Sequence, residues 1–345
     1  MSNVKTLNIW KTFFSEKGVS TKFTDVYTIY IEKLLDNNVP IIFDFTHLCL
    51  LLGRQNTYLA SVVNSPDNHY RHFTIPKKSG GVREISTPFP ALLEMQYWIF
   101  DNILKKIPIN SSAHGFVYKK SILTNSKIHV GQKELLKLDL KNFFPSISLN
   151  RIIFVFKRLG YTSQVAFYLA SICSFENHLP QGAPTSPYIS NIIACKLDKR
   201  LIALAKKYGL RYTRYADDLT FSGNDIPVKF ITYVNTIIQN EGFEMNTDKT
   251  RFYKDRGKRI VTGISVLENE IKLPREYKRN LRQELYYIFK FGLTSHVKKK
   301  KIKKATYLLS VIGKVNFWLS VEPKNSDALE SKRKLSEIYK TFMDI

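Results

Sequence analysis

An α+β fold, with strands and helices in irregular order, is what this 345-residue sequence predicts. Three observations carry the prediction. Two strand-like runs flank a polar turn in LRYTRYADDLTFSG (210–223), as in a hairpin set on a buried surface. The apolar run ELLKLDLKNFFPSI (134–147) reads as a buried strand that breaks at Pro145. Around them lie helix-length segments without the regular strand–helix alternation of a doubly wound sheet.

The elements follow in order. Residues 1–60 read as helices, with helical spacing of apolar residues in FTDVYTIYIEKLLDN (23–37). YRHFTIPKKSGGVREISTP (70–88) reads as strand, Gly-Gly turn and strand, followed by an amphipathic helix across PALLEMQYWIFDNILKKI (90–107). Past the buried strand, helices are expected near 149–159 and 163–174, and from about 188 to 207 behind LPQGAPTSP. After the hairpin come a helix at 227–241, strands around 250–266, and helices from about 274 to the end.

Lys and Arg number 53 against 29 Asp and Glu, a net charge of +24 that calls for a polyanionic partner. The charge is spread through a folded chain that is 13% aromatic, which favours nucleic acid over an anionic membrane surface. It is densest from 251 to 304, where 17 basic residues face 5 acidic ones, including the run KKKKIKK (298–304). Aromatics such as Tyr286, Tyr287, Phe289, Tyr307, Phe317 and Trp318 lie in and beside that stretch. Helices of this kind can follow a phosphate backbone with their charge while packing through their apolar face.

Cys49, Cys173 and Cys195 are dispersed and odd in number, so neither a disulfide framework nor a metal cluster is expected, and a reducing cytoplasm fits. His69 and His72 lack partner ligands for zinc. The N-terminus has no continuous apolar core of signal-peptide type, and VPIIFDFTHLCLLLG (39–53) is too short to span a bilayer. A soluble protein without membrane contact is the expectation.

Chemistry concentrates on three carboxylates. Asp217 and Asp218 stand side by side on the hairpin, and Asp139 ends the strand LLKLDL. An Asp at a strand end is commonly only a cap, and Asp is a common turn residue. Two-metal phosphoryl transfer, however, needs carboxylates from separate elements, holding two Mg²⁺ ions about 3.5–4 Å apart. A strand-end Asp and a hairpin pair meet that need.

These residues resemble the palm of reverse transcriptases: YADD at 215–218, preceded by LDLKNFFPSI and by LPQGAPTSPYISN (179–191). The resemblance runs from IPKKSGGVREI to VTG and implies a right-hand polymerase fold with fingers, palm and a small helical thumb. The implied division is a helical extension at 1–60, fingers at 61–134 with part of 149–178, palm at 135–266 and thumb at 267–345. Carried over by motif, Asp139 and Asp217 are the principal metal ligands and Asp218 completes the cluster. Phe144 is the aromatic gate against a 2′-OH, while Phe143 or Phe144 packs the core. Gln181 and Gly182 belong to the nucleotide pocket. Lys77, Lys78 and Arg83 lie on the hairpin over the incoming triphosphate, and Asn246 and Lys249 approach the active site, Lys249 near the leaving pyrophosphate.

Two further stretches resemble bacterial retron reverse transcriptases, within the prokaryotic, group II intron-like superfamily. RIVTGISV (259–266) carries that family's Val-Thr-Gly signature. Asn125-Ser126-Lys127-Ile128-His129 resembles its Asn-Ala-x-x-His element, with Ser in place of Ala. About 80 residues after Gly263 leave room for a small thumb. The resemblance implies recognition of a cognate noncoding RNA (msr–msd), with Val261, Thr262 and Gly263 and the basic thumb, Lys298, Lys299, Lys300 and Lys301, at the RNA. It implies priming from an RNA 2′-OH and dNTP addition through an RNA–DNA hybrid. The product is branched multicopy single-stranded DNA, in antiphage defence beside a separate effector protein. The alternatives are a prokaryotic reverse transcriptase without 2′-priming and a non-catalytic RNA-binding scaffold.

Overall fold

A computed structural model describes residues 3–77, 80–254 and 259–343. It opens with four helices, α1 (Asn3–Glu16), α2 (Thr21–Asp36), α3 (Phe45–Leu52) and α4 (Asn56–Asn64). Strands β1 (Tyr70–Pro76) and β2 (Val82–Pro88) form the expected hairpin, paired from Tyr70↔Pro88 to Pro76↔Val82. Helix α5 (Pro90–Asn102) stops short of the predicted 107. A 3-10 turn, Leu104–Lys106, follows it, and the consecutive Ile103 and Leu104 are both buried there.

A short helix that the periodicity does not reveal, α6 (Ile122–Lys127), begins with a capping box between Ser121 and Thr124. Strand β3 (Glu134–Asp139) ends six residues before Pro145. The chain leaves the sheet there because Leu140 N–H donates to the Asp217 carbonyl, Lys141 N–H donates to Glu244, and Asn142 turns at φ 47°. Helices α7 (Leu149–Arg158) and α8 (Ser163–Ile172) lie where predicted. The helix predicted over 188–207 is two, α9 (Ser186–Ile193) and α10 (Cys195–Lys207), meeting at Ala194. Then come β4 (Arg211–Tyr215), β5 (Asp218–Gly223) and α11 (Lys229–Asn240).

Strand β6 (Arg251–Tyr253) completes an antiparallel sheet in the order β4–β5–β3–β6. Side-chain alternation splits the sheet into two faces. Leu136, Leu138, Leu219, Phe221 and Tyr212 share the buried face, in the main core with Leu197, Leu201, Phe230 and Val234 from α10 and α11. Lys137, Asp139, Asp218, Thr220 and Tyr215 share the opposite face. The register Asp139↔Asp218 therefore brings two of the predicted carboxylates together on one face.

A second, three-stranded sheet consists of β7 (Ile260–Val261), β8 (Ile264–Val266) and β9 (Ile271–Lys272). Four helices end the chain: α12 (Arg275–Phe291), α13 (Leu293–Lys299), α14 (Tyr307–Val321) and α15 (Ser326–Met343). They enclose a separate core of Ile264, Leu281, Leu285, Val311, Val315 and fully buried Trp318. No helix among the described residues is long and apolar enough to cross a membrane.

Candidate active site

The hairpin between β4 and β5 has a two-residue connection, Ala216 and Asp217, with Tyr215 paired to Asp218. Ala216 sits at φ 55°, a left-handed conformation that costs a non-glycine residue about 1–2 kcal/mol. That turn delivers Asp217 beside Asp218 while Asp139 stands across the sheet. Main-chain bonds fix Asp217 and Asp139, Leu140 N–H to Asp217 O at 3.0 Å and Asn246 N–H to Asp139 O at 2.8 Å, and strand pairing fixes Asp218.

The carboxylates feel one another. Burial, then the charges of Asp218 and Asp139, push the Asp217 carboxyl up to about 6. Burial also raises Asp218; Asp139 adds to this, while Lys137 and Lys249 oppose it. Lys249 Nζ donates to both Asp139 oxygens, at 2.8 and 3.1 Å, and Asn246 Nδ2 to Oδ1 at 3.3 Å. That hydrogen bond to Asp139 holds the lysine more firmly protonated than usual. Among the described residues no three Asp, Glu, His or Cys side chains converge closely enough to hold an ion in this arrangement. The chemistry nevertheless fits a hard cation. The donors are carboxylate oxygens, the ligand type that hard cations prefer, and the Asp139↔Asp218 register with Asp217 on the adjoining turn sets three of them close together.

Three predicted nucleotide-pocket residues, Lys77, Arg83 and Gln181, line one cleft of about 660 Å³ between the β1–β2 hairpin and the 142–145 turn. Lys78 lies outside the described residues. Gly182, at φ 127°, is where the hairpin docks: Ser86 N–H donates to Gln181 O at 2.8 Å, and a Cβ on Gly182 would lie 2.8 Å from Ser86 O. Phe143 is the core ring, against Phe243 at 5.5 Å, whereas Phe144 is half-buried beside Phe116.

The Asn-Ser-x-x-His and Val-Thr-Gly stretches meet. Ser126 Oγ, fully buried, lies 2.8 Å from Ile122 O and 2.9 Å from Val261 O, contacts that an alanine could not make. Asn125 Nδ2 donates to Thr262 Oγ1 at 3.4 Å. His129, just past α6, bridges Ser222 Oγ at 2.7 Å and Thr213 Oγ1 at 2.8 Å, tying the segment after α6 to the catalytic hairpin. Burial first, and then Arg211 and His114, push that imidazole down to about 3, so it is neutral. Val261 departs from expectation: its side chain is buried with Leu135 and Val266, so it shapes the turn and offers no side chain to RNA. Half-buried Thr262 and exposed Gly263 form the tip. Lys298, Lys299, Lys300 and Lys301 are all exposed.

Arg214, Asp198, Asn191 and Phe116, which the sequence reading did not single out, also meet at the hairpin. The available signal was an arginine alternating with Tyr212 on the inward face of a strand.

Comparison with known proteins agrees with this geometry. The family described as reverse transcriptase (RNA-dependent DNA polymerase) matches residues 75–307. The retron Ec86 reverse transcriptase of Escherichia coli is 36% identical over 271 residues, 77% of this chain and 81% of that one. The retron Ec83 reverse transcriptase of the same species is 31% identical, covering 77% of this chain and 88% of its own length. The retron Mx65 reverse transcriptase of Myxococcus xanthus is 40% identical over 238 residues, but the match spans 63% of this chain and 56% of that protein. With these matches spanning most of the chain, and the YADD hairpin set against Asp139, the chain belongs to the retron reverse transcriptases, and its α+β architecture is their polymerase fold.

Proposed function

We propose that the protein is the RNA-directed DNA polymerase of a retron, copying a cognate structured noncoding RNA (msr–msd) into DNA from dNTPs. The observation that carries this reading is the register Asp139↔Asp218, with Asp217 on the adjoining turn. Two Mg²⁺ ions held by Asp139, Asp217 and Asp218 would activate the attacking hydroxyl and stabilise the leaving oxygen. Lys249, whose ammonium donates to Asp139 in this structure, would lie near the departing pyrophosphate. Arg83 and Lys77 bind the triphosphate from the cleft wall by charge-assisted hydrogen bonds. By the same resemblance Lys78 would assist through its charge. Phe144 excludes a ribose 2′-OH by contact with its ring, and Gln181 and Gly182 border the sugar.

The same reading assigns residues 1–60 to a helical extension, 61–134 with part of 149–178 to fingers, 135–266 to palm and 267–345 to thumb. A separate C-terminal core supports a C-terminal unit, which already takes in Ile264 and the β8–β9 pair. The RNA would lie along Thr262, Gly263 and the exposed Lys298–Lys301 run, recognised through shape and 2′-hydroxyls. Synthesis would start from an internal RNA 2′-OH and yield branched multicopy single-stranded DNA through an RNA–DNA hybrid. The setting is the cytoplasm, in antiphage defence with a separate effector.

The test is recovery of nucleic acid from cells expressing the gene with its upstream sequence. RNA is digested, the remainder is run on a denaturing gel, and half is treated with debranching enzyme. Discrete DNA that shifts on debranching and vanishes in an Asp217→Asn/Asp218→Asn double variant is the expected result. Unbranched, variant-sensitive DNA would remove 2′-priming. Absence of such DNA, with RNA still copurifying, would make the protein a scaffold.

A further inference from the structure

We infer that Arg214 is a positioning residue for the catalytic turn, its guanidinium holding the Ala216 carbonyl from inside the core and, through Asn191, locking the turn to the loop that carries Phe116. The inference rests on the polymerase reading for what the turn does.

Strand alternation places Arg214 with Tyr212, Leu219 and Phe221 on the face packed against α10. Neither its side chain nor that of Asp198 has any solvent exposure. Asp198 accepts a bidentate pair, from Nε at 2.8 Å and Nη2 at 2.7 Å, plus a third bond from Tyr212 OH at 2.8 Å. Nη1 donates to Asn191 Oδ1 at 2.9 Å and to Ala216 O at 3.1 Å. Such a pair is commonly replaceable by apolar residues without loss of stability, so stability alone does not account for an arginine here. Geometry does, because a planar fork fixes four acceptors at once.

The turn needs holding. Ala216 is in a left-handed conformation, and Asp217, Asp218 and Asp139 repel one another in front of it. Behind it, Asn191 Nδ2 donates to Gly115 O at 2.9 Å, and Gly115 presses so closely that a Cβ would stand 2.7 Å from Ala216 N. The strap is completed by His114 N–H to Arg214 O at 2.7 Å and Arg214 N–H to Ser112 O at 2.9 Å. The next residue, Phe116, half-exposed at φ 60°, sets its ring 6.4 Å from Phe144 and 6.5 Å from Tyr215. Asn191 lies on α9, which begins four residues after Gly182. One guanidinium thus joins the carboxylate turn, the helix behind the Gln181–Gly182 loop, and the Phe116 loop.

The test compares Asn191→Ala and Arg214→Lys with wild type in single-nucleotide extension of oligo(dT) on poly(rA), with melting curves for each. The expected result is a fall in kcat of about 10- to 100-fold, with KM for dTTP held within about threefold, at temperatures well below each melting point. Amide exchange of residues 215–219 should be about tenfold faster in Asn191→Ala, a readout that requires no turnover. Unchanged kcat and exchange in the folded variants would overturn the inference. So would a loss that disappears on cooling, which is general destabilisation. If Arg214→Lys does not fold, Asn191→Ala decides, because it leaves the Arg214–Asp198 pair intact. A wild type that adds no nucleotide on this template or on its own upstream noncoding RNA refutes the polymerase reading, and amide exchange then still tests the positioning contact.

Discussion

The carboxylate face of the four-stranded sheet and the lysine face of the C-terminal helices carry opposite charge in opposite ways. Asp139 is 7% exposed and held by sheet register and main-chain bonds, so its position is set before any ligand arrives. Lys298, Lys299, Lys300 and Lys301 are exposed, on the last turn of α13 and just beyond it. Exposed charges on flexible stems are screened by salt and substitute for one another. Desolvated charges on a fixed frame do not. The first region can specify a geometry; the second can supply attraction.

Substitutions should divide along that line. Asp139→Asn or Asp217→Asn should lower DNA synthesis by about 10³-fold or more. The melting point of Asp217→Asn should stay level or rise, because it removes a carboxylate from a repelling cluster, whereas Asp139→Asn also gives up the Lys249 ion pair and should change little. A large drop in melting point would show that the cluster holds the fold together and would erase the contrast.

Gly182→Ala comes next. Its new Cβ would meet Ser86 O at 2.8 Å and Ile85 Cγ2 at 2.9 Å in a backbone conformation that L-residues avoid. A cost of about 1–3 kcal/mol in stability is expected, from denaturant titration, with weakened dNTP binding as the hairpin is pushed off the loop.

The pH dependence of stability has opposing parts. His129 and His114 lose stability as pH falls below 6.5, while Asp217, raised to about 6, gains it as pH falls toward 3.8. The largest part is expected from His129. Its folded value, about 3, lies below the ordinary 6.5, so the unfolded chain binds a proton first. That contribution is full above 6.5 and falls as pH drops from there toward 3, by about 2 kcal/mol at pH 5. His114, pushed down to about 4 chiefly by burial, acts in the same direction. His129→Gln should flatten the curve between pH 6.5 and 5; an unchanged slope would place the titration elsewhere.

The smallest change in stability is expected from replacing Lys298, Lys299, Lys300 and Lys301 together by alanine, within about 0.5 kcal/mol. RNA affinity should fall, and the slope of log K against log salt should lessen by up to about 3. An unchanged slope would put the RNA on another face.

The sequence by itself determined much of this. Period-two alternation and the polar turn located β4 and β5, and the adjacency of Asp217 and Asp218 made the turn chemically conspicuous. The Gly-Gly hairpin and the helices of the main core were legible for the same reason: each is a local pattern. Short elements were not. Six-residue α6 and two-residue β9 are too brief for periodicity, while β7 and β8 lie in the strand region expected over 250–266 without their bounds being legible; α6 packs on their turn through Asn125 and Ser126. The Val-Thr-Gly motif could be seen, but not that Val261 points inward. Only the tertiary structure set Asp139 opposite Asp218, and buried Arg214 where α9 and α10 supply Asn191 and Asp198. A pattern along the chain reports which face of an element is apolar. Which residues a charge meets depends on contacts between segments far apart in sequence, and those are decided when the cores pack.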